Sequence, residues 1–273
     1  MKNKKLAALS VSALMAVSLG LAGGSTALAT TTCTFTTAGT TRTLDSDCTT
    51  DETITIPDGF TLEGGGHTIT ATDPPGGHFQ GAVVANGGAT ANVRNLTITT
   101  AALANVCDDG AARLRGILFD GAGGSITDNT VRDINQGASG CQEGNAIEVR
   151  NAPFDTTGAD KLVTIQGNVI SNYQKTGIVA NGSVAAVITQ NDITGVGPVD
   201  YIGQNGIQIG FGATAIVREN LATGNDYTPT SFVSCGILLF KADGVQVSEN
   251  FLAHNERPLG NFGRGGGQFK PNE

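Results

Sequence analysis

Short stretches of alternating apolar and polar residues recur at a nearly constant spacing. The phrase "GILF" begins at Gly116, and "AIEV", "GIVA", "GIQI" and "GILL" begin at Ala146, Gly177, Gly206 and Gly236, which are 30, 31, 29 and 30 residues apart. Each stretch reads as a short β-strand that turns every second side chain to one face. A fixed period of this length predicts a solenoid whose units bury their apolar faces against one another.

The alternation assigns the inward positions of these strands to two columns. The first column is Ile117, Ile147, Ile178, Ile207 and Ile237, and the second is Phe119, Val149, Ala180, Ile209 and Leu239. The outward positions form two rows: Leu118, Glu148, Val179, Gln208 and Leu238, and beside it Asp120, Arg150, Asn181, Gly210 and Phe240. The rows predict a surface that crosses all five strands.

A second phrase places asparagine three residues after an aliphatic residue, as in "ITQNDITG" at 188–195. Its five asparagines are Asn129, Asn168, Asn191, Asn220 and Asn250. The aliphatic residues before them (Ile126, Ile165, Ile188, Val217, Val247) and after them (Val131, Ile170, Ile193, Ala222, Leu252) form the other walls. Asparagine tolerates a left-handed backbone, and stacked asparagines bond to one another. We therefore expect it to turn a corner in every coil, a structural role.

Each unit is then strand, turn, strand, asparagine turn, strand and loop. The pattern predicts an all-β fold, a right-handed parallel β-helix of about six to eight coils. The expected organisation is a signal peptide over 1–29, an N-terminal cap with the first coils over 30–80, β-helix repeats over 81–259, and a glycine-rich tail over 260–273.

The N-terminal residues predict export. Three lysines precede an apolar run and a small-residue "TALA" site, which is typical of a secretory signal peptide cleaved after Ala29. Cleavage would leave 13 basic against 24 acidic residues, a formal charge of −11. We expect a secreted or cell-surface protein that does not bind nucleic acid, because phosphates need Lys and Arg, and that is not embedded in a membrane.

The five cysteines fit an oxidising compartment. Cys33 and Cys48 are close in sequence and form one expected pair, and Cys107 with Cys141 forms the second. Cys235 is left over. Pairing of Cys141 with Cys235 stays open, because spacing does not determine connectivity.

The repeats resemble the right-handed parallel β-helix of the pectin-lyase-like superfamily. The stretches "FTLEGGGHTITA" from Phe60 and "VRNLTI" from Val93, preceded by Cys33 and Cys48, resemble the opening coils of exported bacterial members. The resemblance covers about residues 53–252. It implies a substrate groove along the sheet that the long loops flank. It does not imply an activity, since lyases, hydrolases, epimerases and non-catalytic proteins share this fold.

Five long loops precede the Gly-Ile strands, at 101–115, 135–145, 195–205, 224–235 and 254–266. Long loops on one face of a repeat protein often mark its binding side, although surface insertions without function are the alternative. Tyr173, Tyr201 and Tyr227 lie at this loop position in successive coils. Aromatic rings present flat apolar area to sugars, so these tyrosines, with Gln208, are the expected substrate-binding residues. Alternatively, they close the loops against the core.

Glu148, Arg150, Asp120 and Lys175 form the best charged cluster of the sequence. Arg150 could neutralise a uronate carboxylate, and Lys175 could abstract the C5 proton if burial lowers its pKa. Asp120 and Glu148 are the nearest candidates for a hydrolytic pair. An ordinary surface ion pair is the alternative.

The familiar catalytic signatures of the superfamily are missing from the sequence. "ERPLGNFGR" lacks the Arg-x-Pro-x-x-Arg spacing of pectate lyases, and no Gly-His-Gly or Arg-Ile-Lys element of polygalacturonases is present. Asp108, Asp109 and Glu143, in neighbouring cysteine-bearing loops, are candidate calcium ligands. Calcium is the one cofactor that the sequence suggests.

The sequence favours a secreted or cell-surface protein that binds an extended polysaccharide along the Gly-Ile strands, without catalysis or with an unidentified activity. The alternative is a lyase or C5-epimerase acting on a uronate-containing polymer. The last coil has no evident cap, so end-to-end self-association is also conceivable.

Overall fold

The structure is a computed structural model that describes residues 30–156, 158–229 and 231–263, and the backbone of 266–269. Over these residues the chain forms strands β1 to β25 and one short 3₁₀ helix, Gly110–Ala112. The strands make three sheets, so the predicted all-β class is confirmed. The predicted signal peptide lies outside the described residues. No helix in the described part is long and apolar enough to cross a membrane.

We name the three sheets by their place in the repeat. The Gly-Ile sheet contains β4 (Ile54–Ile56), β7 (Ala82–Asn86), β10 (Arg115–Asp120), β13 (Asn145–Asn151), β16 (Thr176–Gly182), β19 (Asn205–Gly210), β22 (Cys235–Phe240) and β24 (Arg257–Phe262). The sheet before the asparagine corner contains β1 (Phe35–Ala38), β2 (Thr41–Leu44), β5 (Phe60–Glu63), β8 (Thr90–Arg94), β11 (Gly123–Thr127), β14 (Lys161–Gln166), β17 (Val184–Thr189), β20 (Thr214–Arg218), β23 (Asp243–Ser248) and β25 (Gly266–Phe269). The sheet after that corner contains β3 (Cys48–Thr50), β6 (Thr68–Ala71), β9 (Thr97–Thr100), β12 (Thr130–Arg132), β15 (Val169–Ser171), β18 (Asp192–Val199) and β21 (Leu221–Tyr227).

Neighbouring strands in each sheet come from successive coils and run parallel. The hairpin of β1 and β2 is the one antiparallel pair among the described strands. The chain passes from the Gly-Ile sheet to the sheet before the asparagine corner, then to the sheet after it, and a loop returns it to the next Gly-Ile strand. This path is the predicted parallel β-helix.

The predicted inward columns are present in register. Ile117 lies opposite Ile147, which lies opposite Ile178, and the column continues upward. All of its members are fully buried, as is Phe119 below Val149 in the second column. Burying one isoleucine side chain contributes roughly 1.5 to 3 kcal/mol, and the columns join in one core along the solenoid. No single coil forms a separate core.

The five asparagines form a buried ladder, as the sequence predicts. The backbone N–H and side-chain amide of Asn191 both donate to Oδ1 of Asn220, at 3.0 and 2.9 Å. Asn191 itself accepts the same pair of bonds from Asn168. Its amide also donates to the Ile165 carbonyl in the coil below, at 3.0 Å. Every rung therefore satisfies polar groups of adjacent coils that water does not reach.

The prediction that the asparagines themselves adopt the left-handed backbone conformation is wrong. The left-handed residue is the one immediately before each asparagine, and not the asparagine itself. These preceding residues, all with positive φ, are Asp128, Gly167, Gln190, Glu219 and Glu249. They make the corner, which leaves each asparagine side chain directed inward to pair along the ladder.

The disulfides follow the preferred assignment. Cys33 pairs with Cys48, and Cys107 pairs with Cys141. Cys235 is free and buried, and burial raises its pKa to about 11. The alternative pairing of Cys141 with Cys235 is thereby excluded. Two disulfides suggest an oxidising, extracellular environment.

The ladder yields a stability prediction. Asn191→Ala removes three donated bonds and the acceptor of two more, so we expect the free energy of unfolding to fall by about 3 kcal/mol. Urea denaturation measures this loss. Asn261→Ala, at an exposed position of β24, is the matched control and should change stability by less than about 0.5 kcal/mol. Equal losses in both variants would contradict a structural role for the ladder.

Candidate functional site

A groove runs along the outer face of the Gly-Ile sheet and has two sections. The charged section encloses about 670 Å³, and the side chains that define it are Arg113, Arg115, Glu148, Arg150 and Lys175. The aromatic section encloses about 770 Å³, and the side chains that define it are Tyr201, Phe232, Leu238, Phe240 and Phe262. The two sections share Gln142, Lys175, Gln208 and Phe211, so the groove is continuous.

The floor of the groove is formed by the two predicted outward rows. Glu148 pairs in register with Val179, and Val179 with Gln208. In the second row, Asp120 pairs with Arg150, which pairs with Asn181. The regular register places successive floor residues one strand spacing apart, roughly 4.8 Å.

Glu148 is a buried carboxylate at the centre of the charged section. One oxygen accepts hydrogen bonds from Nε of Arg115 at 2.6 Å and from the amide of Asn145 at 2.9 Å. The other accepts from Arg150 at 3.3 Å. Both Glu148 and Arg115 are at least nine-tenths buried, so the pair is shielded from water. A buried charge of this kind needs its partners, because desolvation alone would destabilise it strongly.

Sequence reasoning missed Arg115. The spacing predicts that it ends the loop at 101–115, whereas it is the first residue of β10 and lies in register with Asn145 on β13. Its guanidinium also donates to the carbonyls of Arg113 and Gly110, at 2.8 and 3.2 Å. The arginine thus anchors the long loop to the groove floor.

Arg150 joins the two carboxylates of the cluster. It donates to Asp120 at 2.8 and 3.0 Å and to Glu148 at 3.3 Å. Burial would lower the pKa of Arg150, but the hydrogen bonds and charges of Asp120 and Glu148 outweigh burial and raise the pKa. Its charge is therefore largely balanced by protein groups before any ligand binds.

Lys175 is the most unusual cation of the groove. It is half-buried where the two sections meet, and its Nζ donates to the carbonyl of Gly203 at 2.7 Å. No carboxylate of the described residues forms an ion pair with it. Burial lowers the pKa of Lys175 to about 8. The amine can therefore both carry charge and accept a proton near neutral pH.

The aromatic section contains Phe240, which the sequence places in an outward row, together with rings for which the sequence predicts no position. Phe211 packs edge-on against Phe240 at 5.3 Å, and Phe240 lies in register with Phe262 on the next strand. Phe154, on the loop after β13, lines the opposite end of the groove. That loop extends over the edge of the next strands and contacts the end of β19, where the Asp155 N–H donates to the Phe211 carbonyl at 2.6 Å. It makes a second wall, on the flank away from the five predicted loops.

Two of the three tyrosine assignments are wrong. Tyr173 is fully buried, and its hydroxyl donates to Asn225 at 2.5 Å, so its ring belongs to the core. Tyr227 is also buried, packs against Phe232 and lies 3.2 Å from the Ser231 hydroxyl. Both close the loops against the core, the alternative that the sequence left open. Tyr201 and Gln208 do line the groove, and their contact with a ligand stays a prediction.

The calcium assignment is also corrected. Both oxygens of buried Glu143 accept backbone N–H bonds, from Asp108 at 2.9 Å and Leu114 at 2.8 Å. Asp108 accepts from His78 and Gln80, and Asp109 is fully exposed beside Arg113. In the described part of the chain, Glu143 groups instead with Cys107 and Cys141, whose sulfurs are joined in a disulfide. The three carboxylates therefore do not form one ligand set.

Glu143 belongs to a second structural corner. Its bond to the Leu114 N–H has counterparts made by side chains that lie one, two and four coils higher. These are Gln136 N–H to Gln174 at 3.0 Å, Val196 N–H to Gln204 at 3.2 Å and Ser234 N–H to Glu256 at 2.8 Å. A Gln or Glu just before four of the Gly-Ile strands thus holds loop backbone, which in three of the four cases belongs to the coil below.

The buried ion pair yields a second stability prediction. Arg115→Met leaves Glu148 with one fewer cation in a buried site, so we expect a loss of about 3 to 5 kcal/mol in the free energy of unfolding. Urea denaturation at pH 7 provides the value. Arg218→Met is the control, because Arg218 pairs with Glu219 at the surface and should cost less than about 1 kcal/mol. A small loss at Arg115 would show that the pair is hydrated.

The lysine yields a titration prediction. Acetylation of Lys175 in the folded protein, followed by peptide mass spectrometry, should accelerate with a midpoint near pH 8. In denaturant the midpoint should move to about 10.5, the usual value for lysine. Because the folded protein releases this proton first, stability should increase as the pH rises between these values. A midpoint near 10.5 in the folded protein would mean that Lys175 is fully solvated.

Comparison with known proteins agrees with the architecture. Residues 154–265 match the model of a family described as a right-handed beta helix region. No curated protein and no solved structure matches the chain. The match over this part of the chain and the three stacks of parallel strands agree that the chain folds as a right-handed parallel β-helix.

Proposed function

We propose that the groove binds an extended, acidic polysaccharide across the Gly-Ile sheet. The observation that carries the proposal is the sign of the charged section. Arg113, Arg115, Arg150 and Lys175 line it, against two lining carboxylates, in a chain with 24 acidic and 16 basic residues. Arg113 and Arg150 also pair with Asp109 and Asp120, so the positive charge left for a ligand rests mainly on Lys175, which forms no ion pair within the described residues. A local excess of cations attracts an anionic ligand, and the negative charge of the rest of the protein repels the ligand from other surfaces.

The shape of the groove supports a polymer rather than a single sugar. From β10 to β22 the floor crosses four strand spacings, roughly 20 Å in all. Loops wall one flank, and the loop that carries Phe154 walls the other at the charged end. Arg113 and Lys175 are the lining cations that Glu148 does not bind, and both are partly accessible. They are the cations best placed to meet ligand carboxylates.

A β-eliminating lyase or C5-epimerase acting on a uronate polymer is the second candidate. The half-buried, carboxylate-free amine of Lys175 favours it. As base, the neutral amine would take the C5 proton of the bound uronate. In a lyase, the C4–O bond then breaks as the C4–C5 double bond forms, while arginine stabilises the charge that develops on the carboxylate. In an epimerase, a proton returns to the opposite face of C5.

Hydrolysis by Asp120 and Glu148 fits the geometry poorly. Both oxygens of Glu148 accept hydrogen bonds, from Arg115, Asn145 and Arg150, so neither is left to hold a proton for the leaving group. Asp120 is likewise engaged by Arg150. The cluster is arranged for holding negative charge, and not for the acid–base pair that glycoside hydrolysis requires.

Binding is tested by calorimetry with polygalacturonate, alginate and a neutral dextran, each with and without calcium. We expect the acidic polymers alone to bind, and Lys175→Met to weaken binding about tenfold through loss of a charged hydrogen bond. Lys161→Met, on a different sheet, is the matched control and should bind as the wild type does. Equal binding of dextran, or no effect at Lys175, would refute the proposal.

Catalysis is tested by absorbance of unsaturated products from the same acidic polymers. If Lys175 is the base, the rate should rise with pH to a plateau above about 8, and Lys175→Met should abolish it. Epimerisation leaves no unsaturated end, so exchange of the C5 hydrogen with heavy water is followed in parallel. Binding without product or exchange would leave the protein as a non-catalytic binder.

A further inference from the structure

The aromatic section is much more apolar than a site for bare sugar requires. Five of the chain's eleven phenylalanines line the groove, counted over the side chains that the structure describes: Phe154, Phe211, Phe232, Phe240 and Phe262. Ile202, Val233 and Leu238 complete the aromatic walls. Phe232 is 68% exposed and Phe262 is 41% exposed, Ile202 is buried, and the remaining apolar side chains of the section are partly exposed.

Few polar groups interrupt these walls. Tyr201 and Asn205 lie on the loop side, while Gln208, Gln142 and Lys175 lie where the section joins the charged one. A sugar ring carries hydroxyl groups that must keep hydrogen bonds when they leave water, and phenylalanine rings supply none. Apolar area of this kind is matched by an apolar ligand group.

We propose that the ligand is an acidic polysaccharide that carries apolar acyl or aryl ester substituents on its hydroxyl groups. This inference rests on the proposed function and narrows its substrate class. The carboxylates of the polysaccharide chain lie in the charged section, near Lys175 and Arg113. A substituent on a sugar further along the chain lies among Phe232, Phe240 and Phe262. The continuous floor between the sections lets one ligand occupy both.

The form of the section favours a ligand over a second protein. It is concave, encloses about 770 Å³ and continues directly into the charged section through four shared residues. A site of a few hundred Å³, mostly apolar with polar groups at one end, has the dimensions of a small-ligand pocket.

The test compares two oligogalacturonates of equal length, one unmodified and one partly O-benzoylated with its carboxylates intact. Wild-type protein should bind the benzoylated form at least tenfold more tightly, as expected from burial of one aromatic group. Phe232→Ala and Phe240→Ala should remove that preference, so that each variant binds the two forms with equal affinity. Phe251→Ala is the matched control, since Phe251 is 51% exposed and lies outside the groove lining.

Three other results would overturn the inference, and each has a separate meaning. Equal affinity for the two forms would refute the apolar substituent and leave the proposed function standing. Binding of neither form would refute both. A wild-type dimer in sedimentation that Phe232→Ala converts to a monomer would identify the aromatic section as an interface between copies. Phe232 is mostly exposed, so its alanine variant should fold even if the Phe240 variant does not.

Discussion

The structure depends on the fact that a coil of this chain cannot bury its own apolar residues. Each coil contributes one side chain to each column, and only the coils above and below complete its burial. The asparagine ladder makes that stacking specific. An amide that must satisfy backbone groups of two neighbouring coils tolerates little displacement, because a shift would leave buried donors and acceptors without partners. The ladder therefore fixes the register on which the groove floor relies.

The charged section uses the same stacking to place charge. Arg115, Glu148 and Arg150 come from adjacent strands of one sheet, and their side chains meet because the strands are in register. The buried carboxylate is held by two guanidiniums, which makes it a fixed feature of the floor rather than a free reactant. Lys175 stands apart from this network: it donates to the Gly203 carbonyl, forms no ion pair within the described residues, and burial lowers its pKa to about 8. The groove thus combines a rigid set of charges with one adjustable cation.

Periodicity predicted the fold well, because inward columns and outward rows follow from spacing alone. The row containing Glu148 and Gln208 and the row containing Arg150 are both present as predicted. The loops were harder, since a residue before a Gly-Ile strand either enters the core, turns a corner or faces the groove. Tyr173 enters the core, Glu143 turns a corner and Tyr201 faces the groove. Neither the residue type nor the spacing distinguishes these three outcomes.

The groove wall on the flank opposite the five predicted loops was not predictable. The loop that forms it carries Phe154 and contacts coils well beyond its own. A contact such as Asp155 N–H to the Phe211 carbonyl joins residues that no repeat relates. A clue did exist in the second corner: Gln174, Gln204 and Glu256 recur just before the Gly-Ile strands, and Glu143 belongs to that series. Reading that series would have assigned Glu143 to structure.

Each coil adds one strand to the floor, so positions along the groove differ by whole strand spacings. The charged cluster and the phenylalanine cluster are separated by whole coils, so the distance between them changes only in steps of roughly 4.8 Å. Gain or loss of one thirty-residue repeat between them would lengthen or shorten that distance by one step and leave the columns and ladder continuous. Descendants of such a gene could therefore change the spacing of the ligand groups they recognise without redesigning either cluster.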